Sequence, residues 1–187
     1  MPIEIEKKYR LTREQIEPLR GRLVGAGAEG EGAAEFEENV IYTGPGLDPG
    51  RRVLRLRRKG SRALFTFKER DLSGSAVRRQ REEETEVADA AALASILEAL
   101  GYSPALVYEK RRETWRLAGA EVVIDELPFG LFVEIEGEEA DILNAERLLG
   151  LDGDAGVLET YPALTLRHGV EKEGVVEARF EGEAGRL

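Results

Sequence analysis

Apolar and charged residues trade places at every second position along much of this chain, which is the pattern of strands with one greasy and one ionic face. Residues 2–9 set Glu4, Glu6 and Lys8 on one face and Ile3 and Ile5 on the other. Residues 131–136 repeat it, with Leu131, Val133 and Ile135 opposing Phe132, Glu134 and Glu136. The same period predicts strands over residues 36–42, 53–59, 63–70, 81–87, 108–115 and 121–126. Their charged faces carry Arg55 and Arg57, then Lys68, then Glu82, Glu84 and Glu86, then Lys110 and Arg112, then Asp125. In the stretch 81–87 Glu83 offers the opposite phase.

Helices interrupt the strands. Thr12 and Gln15 form a capping box ahead of Ile16, Leu19 and Leu23, although Pro18 and Gly21 weaken that helix. Asp89 caps a stripe of Leu93, Ile96, Leu97 and Leu100 that Gly101 closes. A third helix is expected over 141–149, ended by Gly150, and a short fourth over 161–167. Residues 71–76 read as a polar loop, and the Glu- and Gly-rich residues 169–187 as a poorly ordered, flexible tail to a single domain of residues 1–168. Residues 25–30 match G-x-G-x-x-G but follow a helix and precede a strand, the reverse of the dinucleotide-binding context, and read as a helix stop.

Length and charge narrow the chemistry. At 187 residues the chain suits one domain with a sizeable core. A net charge of −10 argues against a nucleic-acid partner. No run reaches the ~18 apolar residues of a membrane span and no basic and apolar leader opens the chain, so a cytoplasmic protein without a membrane partner is expected. With no cysteine and with His168 as the sole histidine, a bound metal must be held by oxygen. Only six of the 27 basic residues are lysine, yet Lys8, Lys68 and Lys110 all fall on the charged faces.

A flat sheet with one wet face would mix Thr, Ser, Gln and Asn into its polar positions, whereas here they are nearly all ionised. An α+β fold with a closed eight-stranded antiparallel β-barrel and flanking helices gives such residues a shared interior, just wide enough for side chains and one small ligand. That interior holds eight acids (Glu4, Glu6, Glu82, Glu84, Glu86, Asp125, Glu134 and Glu136) and six bases (Lys8, Arg55, Arg57, Lys68, Lys110 and Arg112). Two like charges ~4 Å apart repel by ~4 kcal/mol at an effective dielectric near 20, so the acids call for divalent cations. Carboxylate oxygens suit Mg²⁺ or Mn²⁺, and fixed cations suit a polyanion with several phosphates. No P-loop motif offers a rival phosphate site.

Glu4-x-Glu6-x-Lys8 resembles the E-x-E-x-K signature of the CYTH superfamily, the triphosphate tunnel metalloenzymes that include class IV adenylate cyclases and thiamine triphosphatases. The likeness continues through Arg55-x-Arg57, Lys68, Glu82-x-Glu84-x-Glu86, Lys110-x-Arg112, Asp125 and Glu134-x-Glu136, and Tyr161 is similar to a tyrosine often seen near the C-terminal helix of the cyclase-like branch. The resemblance implies a closed tunnel for a triphosphate and divalent metal. Arg55, Arg57, Lys68, Lys110 and Arg112, with Lys8, would clamp phosphate oxygens; Glu4, Glu6, Asp125, Glu134 and Glu136 would hold metal, with Glu82, Glu84 and Glu86 as further candidates for metal or water. Lys8, Arg57 and Lys68 are the candidate catalytic residues, with Lys8 suited either to charge stabilisation or to proton transfer.

The leading expectation is metal-dependent hydrolysis of the terminal phosphate of tripolyphosphate, thiamine triphosphate or a nucleoside triphosphate. An adenylate cyclase uses the same clamp and stands second. A noncatalytic polyphosphate-binding module and a barrel whose inner ions merely pair with each other complete the alternatives. Oligomeric state is open.

Overall fold

The computed structural model describes residues 3–30, 33–70 and 78–182. The loop expected over 71–76 lies outside them, as does the side chain of Glu4. Strand β1 (Ile3–Leu11) leads into α1 (Arg13–Gly25), where the Gln15 side chain accepts from the Thr12 backbone N–H at 2.8 Å and so completes the expected capping box. After the two-residue β2 (Glu29–Gly30) come β3 (Glu35–Thr43), β4 (Arg52–Lys59), β5 (Arg62–Arg70) and β6 (Arg78–Val87). Helix α2 (Ala90–Ala99) is capped by the Asp89 carboxylate, which accepts from the backbones of Ala91 and Ala92. Strands β7 (Ser103–Leu117), β8 (Ala120–Leu127) and β9 (Gly130–Glu136) follow, then α3 (Glu139–Leu149) and α4 (Tyr161–His168). Residues after Gly169 depart from the expected tail: β10 (Val170–Lys172) and β11 (Val175–Ala178) pair with each other, and β11 runs parallel to β7.

Eight long antiparallel strands lie in the order β7-β3-β4-β5-β6-β1-β9-β8. The closed barrel expected from the sequence is not what they form. The sheet curls through 203° and its edges stand 7 Å apart, which makes an open half-barrel with flanking helices. Strand β7 shows why. Its first part, residues 103–112, pairs with β3 and its last part, 111–117, with β8, so the two neighbours run alongside each other only at Arg111 and Arg112. With the edges apart, the ionic interior is a trough.

The alternation sorts the two faces as the sequence implies. On the convex side Tyr9, Leu11, Val122, Ile124, Val133 and Ile135 form a core with Leu19 and Leu23 of α1 and Ile142 and Leu149 of α3. A second convex cluster sets Val40, Tyr42, Leu54, Leu56 and Val107 against Leu97 of α2. On the concave side one end is filled by α4, whose Tyr161 and Leu164 meet Ile41, Leu106, Tyr108 and Phe132. Charged side chains occupy the remainder, so the apolar backing holds the strands while α4 bounds the ionic trough.

One turn fixes the register of the site. Ala118 and Gly119 join β7 to β8 with φ of +52° and +87°, and a Cβ on Gly119 would lie 2.8 Å from the Asp141 carboxylate. Positive φ at both central residues matches the twist of the flanking strands. With that turn set, Asp125 falls opposite Arg112.

Candidate active site

The trough contains a cleft of about 420 Å³ to which all eight long strands and α4 contribute side chains. From β1 come Glu6 and Lys8, from β4 Arg55 and Arg57, from β5 Lys68, from β6 Glu82 and Glu84, from β7 Lys110 and Arg112, and from β9 Glu134 and Glu136. These are most of the residues expected from the sequence. Glu82 and Glu84 face inward and Glu83 outward, which settles the phase of β6. Glu86 shares their face but lies outside the cleft, paired with Arg62 and more than half exposed.

Asp125 sits beneath the cleft floor at 0% exposure, its oxygens already engaged. Arg112 donates to it through Nε at 2.8 Å and Nη2 at 2.6 Å, the Tyr161 hydroxyl donates at 2.8 Å, and Lys110 Nζ lies 3.4 Å away. Burial would raise its pKa, but the Arg112 and Lys110 cations overcome this and hold the carboxyl well below the usual range. Arg112 Nη2 also donates to Glu134 at 2.8 Å, and Lys8 Nζ stands 3.1 Å from the other oxygen of Glu134. Lys8 further donates to the Glu159 carbonyl at 3.2 Å and lies 3.9 Å above the Tyr161 ring, so it ties α4 to β1. On the opposite wall Lys68 meets Glu82 at 2.7 Å, while Arg55 Nη2 donates to Thr66 at 3.2 Å and faces Glu82 and Glu84 at 3.8 and 3.6 Å.

Several residues of the site are not singled out by the sequence. Glu37 is 1% exposed, and its Oε2 lies between Lys110 Nζ at 3.3 Å and Arg57 Nε at 3.4 Å. Burial alone would raise its pKa; the Lys110, Arg57 and Arg112 charges prevail and hold it at about 2. Lys110 in turn is pushed down to about 8, chiefly by burial and then by Arg112, against the pull of Asp125 and Glu37. Asn39 (0% exposed), Glu121, Tyr108, Arg70 and Gln80 are further omissions. Glu121 had a readable signal, since it shares the phase of Asp125 four residues on. Glu37 and Asn39 share their face with Ile41, and that mixture hides them.

A second cleft, of about 450 Å³, lies between β1, α3 and residues 152–158. Its buried carboxylate, Glu146, is bonded by Lys7 and the Tyr9 hydroxyl. The concentration of buried, shifted ionisable groups selects the trough instead.

A curved antiparallel sheet that lines a cleft with opposed carboxylates and guanidinium or ammonium groups defines an ionic half-barrel suited to a polyanion. The CYTH domain family model matches residues 2–149, and the chain belongs to that family. Solved structures with the same fold include the PH1012 protein of Pyrococcus horikoshii OT3, at 25% identity and a TM-score of 0.71 over 84% of this chain and 96% of that one. A putative adenylate cyclase of Vibrio parahaemolyticus aligns at 19% identity and a TM-score of 0.72, covering 86% and 95% of the two chains. The putative adenylyl cyclase HpAC1 from Hippeastrum aligns at 17% and 0.68, covering 91% and 98%. No curated protein matches the sequence. None of the described helices is long and apolar enough to cross a membrane.

The donor chemistry fits a hard divalent cation, because Glu6, Glu121, Glu134 and Glu136 all reach the cleft and Glu136 is the cross-strand neighbour of both Glu6 and Glu121. Among the described residues no three acids already converge into a coordination cluster.

Proposed function

We propose that this protein is a divalent-metal-dependent triphosphatase that removes the terminal phosphate of an inorganic or organic triphosphate: tripolyphosphate, thiamine triphosphate or a nucleoside triphosphate. The observation that carries this reading is the meeting of Lys8, Arg55, Arg57, Lys68, Lys110 and Arg112, from four strands, around one small cleft. Such a set of preorganised cations offers several donors to the nonbridging oxygens of neighbouring phosphates.

The balance of charge supports the metal requirement. Including Arg70 and the floor residues Glu37 and Asp125, the cleft brings eight acids against seven bases, so its own charge does not trap a polyanion. Glu6, Glu134 and Glu136, with Glu4 of β1, would hold Mg²⁺ or Mn²⁺, which would supply the missing positive charge and make a nearby water a better nucleophile. Arg55, Arg57 and Lys68 on one wall and Lys110 and Arg112 on the other hold the chain of phosphates in place. Water oxygen then bonds to the terminal phosphorus as its bond to the bridging oxygen breaks, giving orthophosphate and the shortened substrate. Charge that grows on the terminal and leaving oxygens is met by these fixed cations, which is where phosphoryl transfer gains most of its rate.

HpAC1, described as a putative adenylyl cyclase that reveals a dominant triphosphatase activity, is in keeping with the hydrolytic reading. Purified protein incubated with tripolyphosphate, thiamine triphosphate or ATP and Mg²⁺ or Mn²⁺ is expected to release orthophosphate. Cyclic AMP with pyrophosphate from ATP would replace hydrolysis by cyclisation; tight binding without any product would leave a polyphosphate-binding module.

A further inference from the structure

Three buried side-chain atoms have no hydrogen-bond partner among the described residues, Glu37 Oε2, Asn39 Nδ2 and Arg55 Nε, and all three belong to the adjoining strands β3 and β4. Unpaired buried polar atoms are uncommon and mark places where something besides stability has set the arrangement. Asn39 is the most telling of them. It is wholly buried, lies directly across the ladder from Arg57, and its Oδ1 accepts from Arg57 Nε at 3.2 Å. The amide cannot turn over, because Nδ2 would then confront the Nε–H donor. Holding Arg57 therefore fixes which amide atom is left unpaired.

The consequence appears at the other end of Arg57. Both contacts of its side chain, to Asn39 and to Glu37 at 3.4 Å, are made through Nε. Its two terminal nitrogens donate no hydrogen bond to the described residues, and the side chain lines the cleft. Arg112, by contrast, spends Nη2 on Asp125 and Glu134, and Arg55 spends Nη2 on Thr66. Arg57 is thus gripped at the root with its terminal pair of nitrogens uncommitted, the geometry for a two-pronged contact with a phosphate.

We propose that Asn39 is a positioning residue for triphosphate binding, clamping Arg57 at Nε so that Nη1 and Nη2 are presented to a phosphate group in a fixed orientation. The inference rests on the triphosphate reading of the cleft. Because Asn39 is neutral, its removal leaves the charge of the trough unchanged, and any loss of affinity must come through geometry. An apolar replacement also removes the unpaired Nδ2, so a merely structural account gives no reason for binding to weaken while the fold is spared.

The test is a double-mutant cycle on the full chain, with calorimetric titration of imidotriphosphate in Mg²⁺, whose P–N–P bridges resist hydrolysis. Asn39→Leu is expected to melt within a few degrees of the parent and to bind about tenfold more weakly, the order of one charge-assisted hydrogen bond. In an Arg57→Lys background, which keeps the charge but lacks Nε, Asn39→Leu should change affinity no further. Asn39→Ala, run through the same cycle, carries the test if the leucine variant does not fold. Unaltered affinity on removing Asn39, or an equal loss in both backgrounds, overturns the proposal. Failure of the parent protein to bind the analogue overturns the triphosphate reading itself and this inference with it.

Discussion

The Tyr161 hydroxyl donates to Asp125 Oδ2 at 2.8 Å, joining the helix that bounds the trough to a carboxylate buried under its floor. Tyr161 is 6% exposed, and burial together with the Asp125 charge pushes its phenol well above its ordinary pKa, so it remains a donor throughout the stable pH range. Its ring simultaneously lies under Lys8 at 3.9 Å. Tyr161→Phe keeps the ring and the cation contact and deletes the hydrogen bond. A loss of about 1–3 kcal/mol in unfolding free energy is expected, measured by urea titration, because the acceptor is charged and buried. An unchanged midpoint would show that Arg112 and Lys110 alone satisfy Asp125.

Glu37 gives the protein a specific acid sensitivity. Its pKa falls from 4.5 to about 2 on folding, so the folded state binds the proton less well than the unfolded chain does. The stabilisation is complete above about pH 4.5 and is lost as pH falls through that value toward 2. Glu37→Gln removes the titration while keeping the shape. The variant should be less stable than the parent at pH 7, and its melting temperature should decline less steeply between pH 5 and 3. Parallel melting curves of the two proteins across that window would refute the assignment.

Local pattern reveals most of the trough and little of its closure. In β1 and β9 the alternation of Ile or Val with Glu assigns faces residue by residue, and Lys8 and Glu134 end opposite each other as that phase requires. Whether the sheet meets itself depends on where β3 leaves β7 and β8 begins, a stagger at Arg111 and Arg112 that no period within one strand encodes. The residues after Gly169 show the limit from another side. Val170, Val175 and Val176 are few and set among Glu and Gly, yet pairing along β7 orders this segment and brings Val176 and Ala178 against the α4 cluster. Glu37 escapes notice for a related reason: it is an acid whose role is to face two cations, and its strand, read alone, has no ionic face.

Arg179 is the hold on that C-terminal hairpin. Its Nη1 donates to Glu38 at 2.7 Å and to Glu109 at 2.9 Å, both carboxylates being buried, and the Phe180 backbone N–H adds a bond to Glu109 at 2.8 Å. Arg179→Ala leaves Glu38 with Arg58 but strips Glu109 of its ion pair with Arg179. Because Arg179 is itself partly exposed, a cost of about 1–3 kcal/mol is expected, below that of a fully buried pair. Hydrogen exchange should quicken at Val176, Glu177 and Ala178 before it does in β1, and uniform protection across the sheet would count against the latch.

On the two walls of the cleft, Arg57 and Lys68 are the cations whose loss should be felt in turnover. Replacing either by Ala is expected to lower kcat on tripolyphosphate about 10²- to 10³-fold, the scale of one preorganised charge stabiliser. Lys68 is held by Glu82 at 2.7 Å, so Lys68→Ala also removes the nearest cation from an acid that repels phosphate, and its KM should rise more than that of Arg57→Ala. Parent rates in both variants would place the chemistry elsewhere.

Metal and triphosphate should stabilise the fold together far better than either does alone. Each base on the walls already has a carboxylate partner or neighbour, as Lys8 has Glu134 and Lys68 has Glu82, so a bare polyanion must compete with acids that remain in place. A divalent cation alone meets the converse obstacle, since the acids are paired with bases. When both bind, each charge released by one ligand is taken up by the other. Saturation at about 100 times the dissociation constant contributes about 2.7 kcal/mol, which for a domain of this size corresponds to roughly 5–10 °C in melting temperature. The expected result is therefore a shift of that order with Mg²⁺ and tripolyphosphate combined, with the separate shifts adding to clearly less. Equal shifts from tripolyphosphate with and without chelator would show that the acids of the trough take no part in binding.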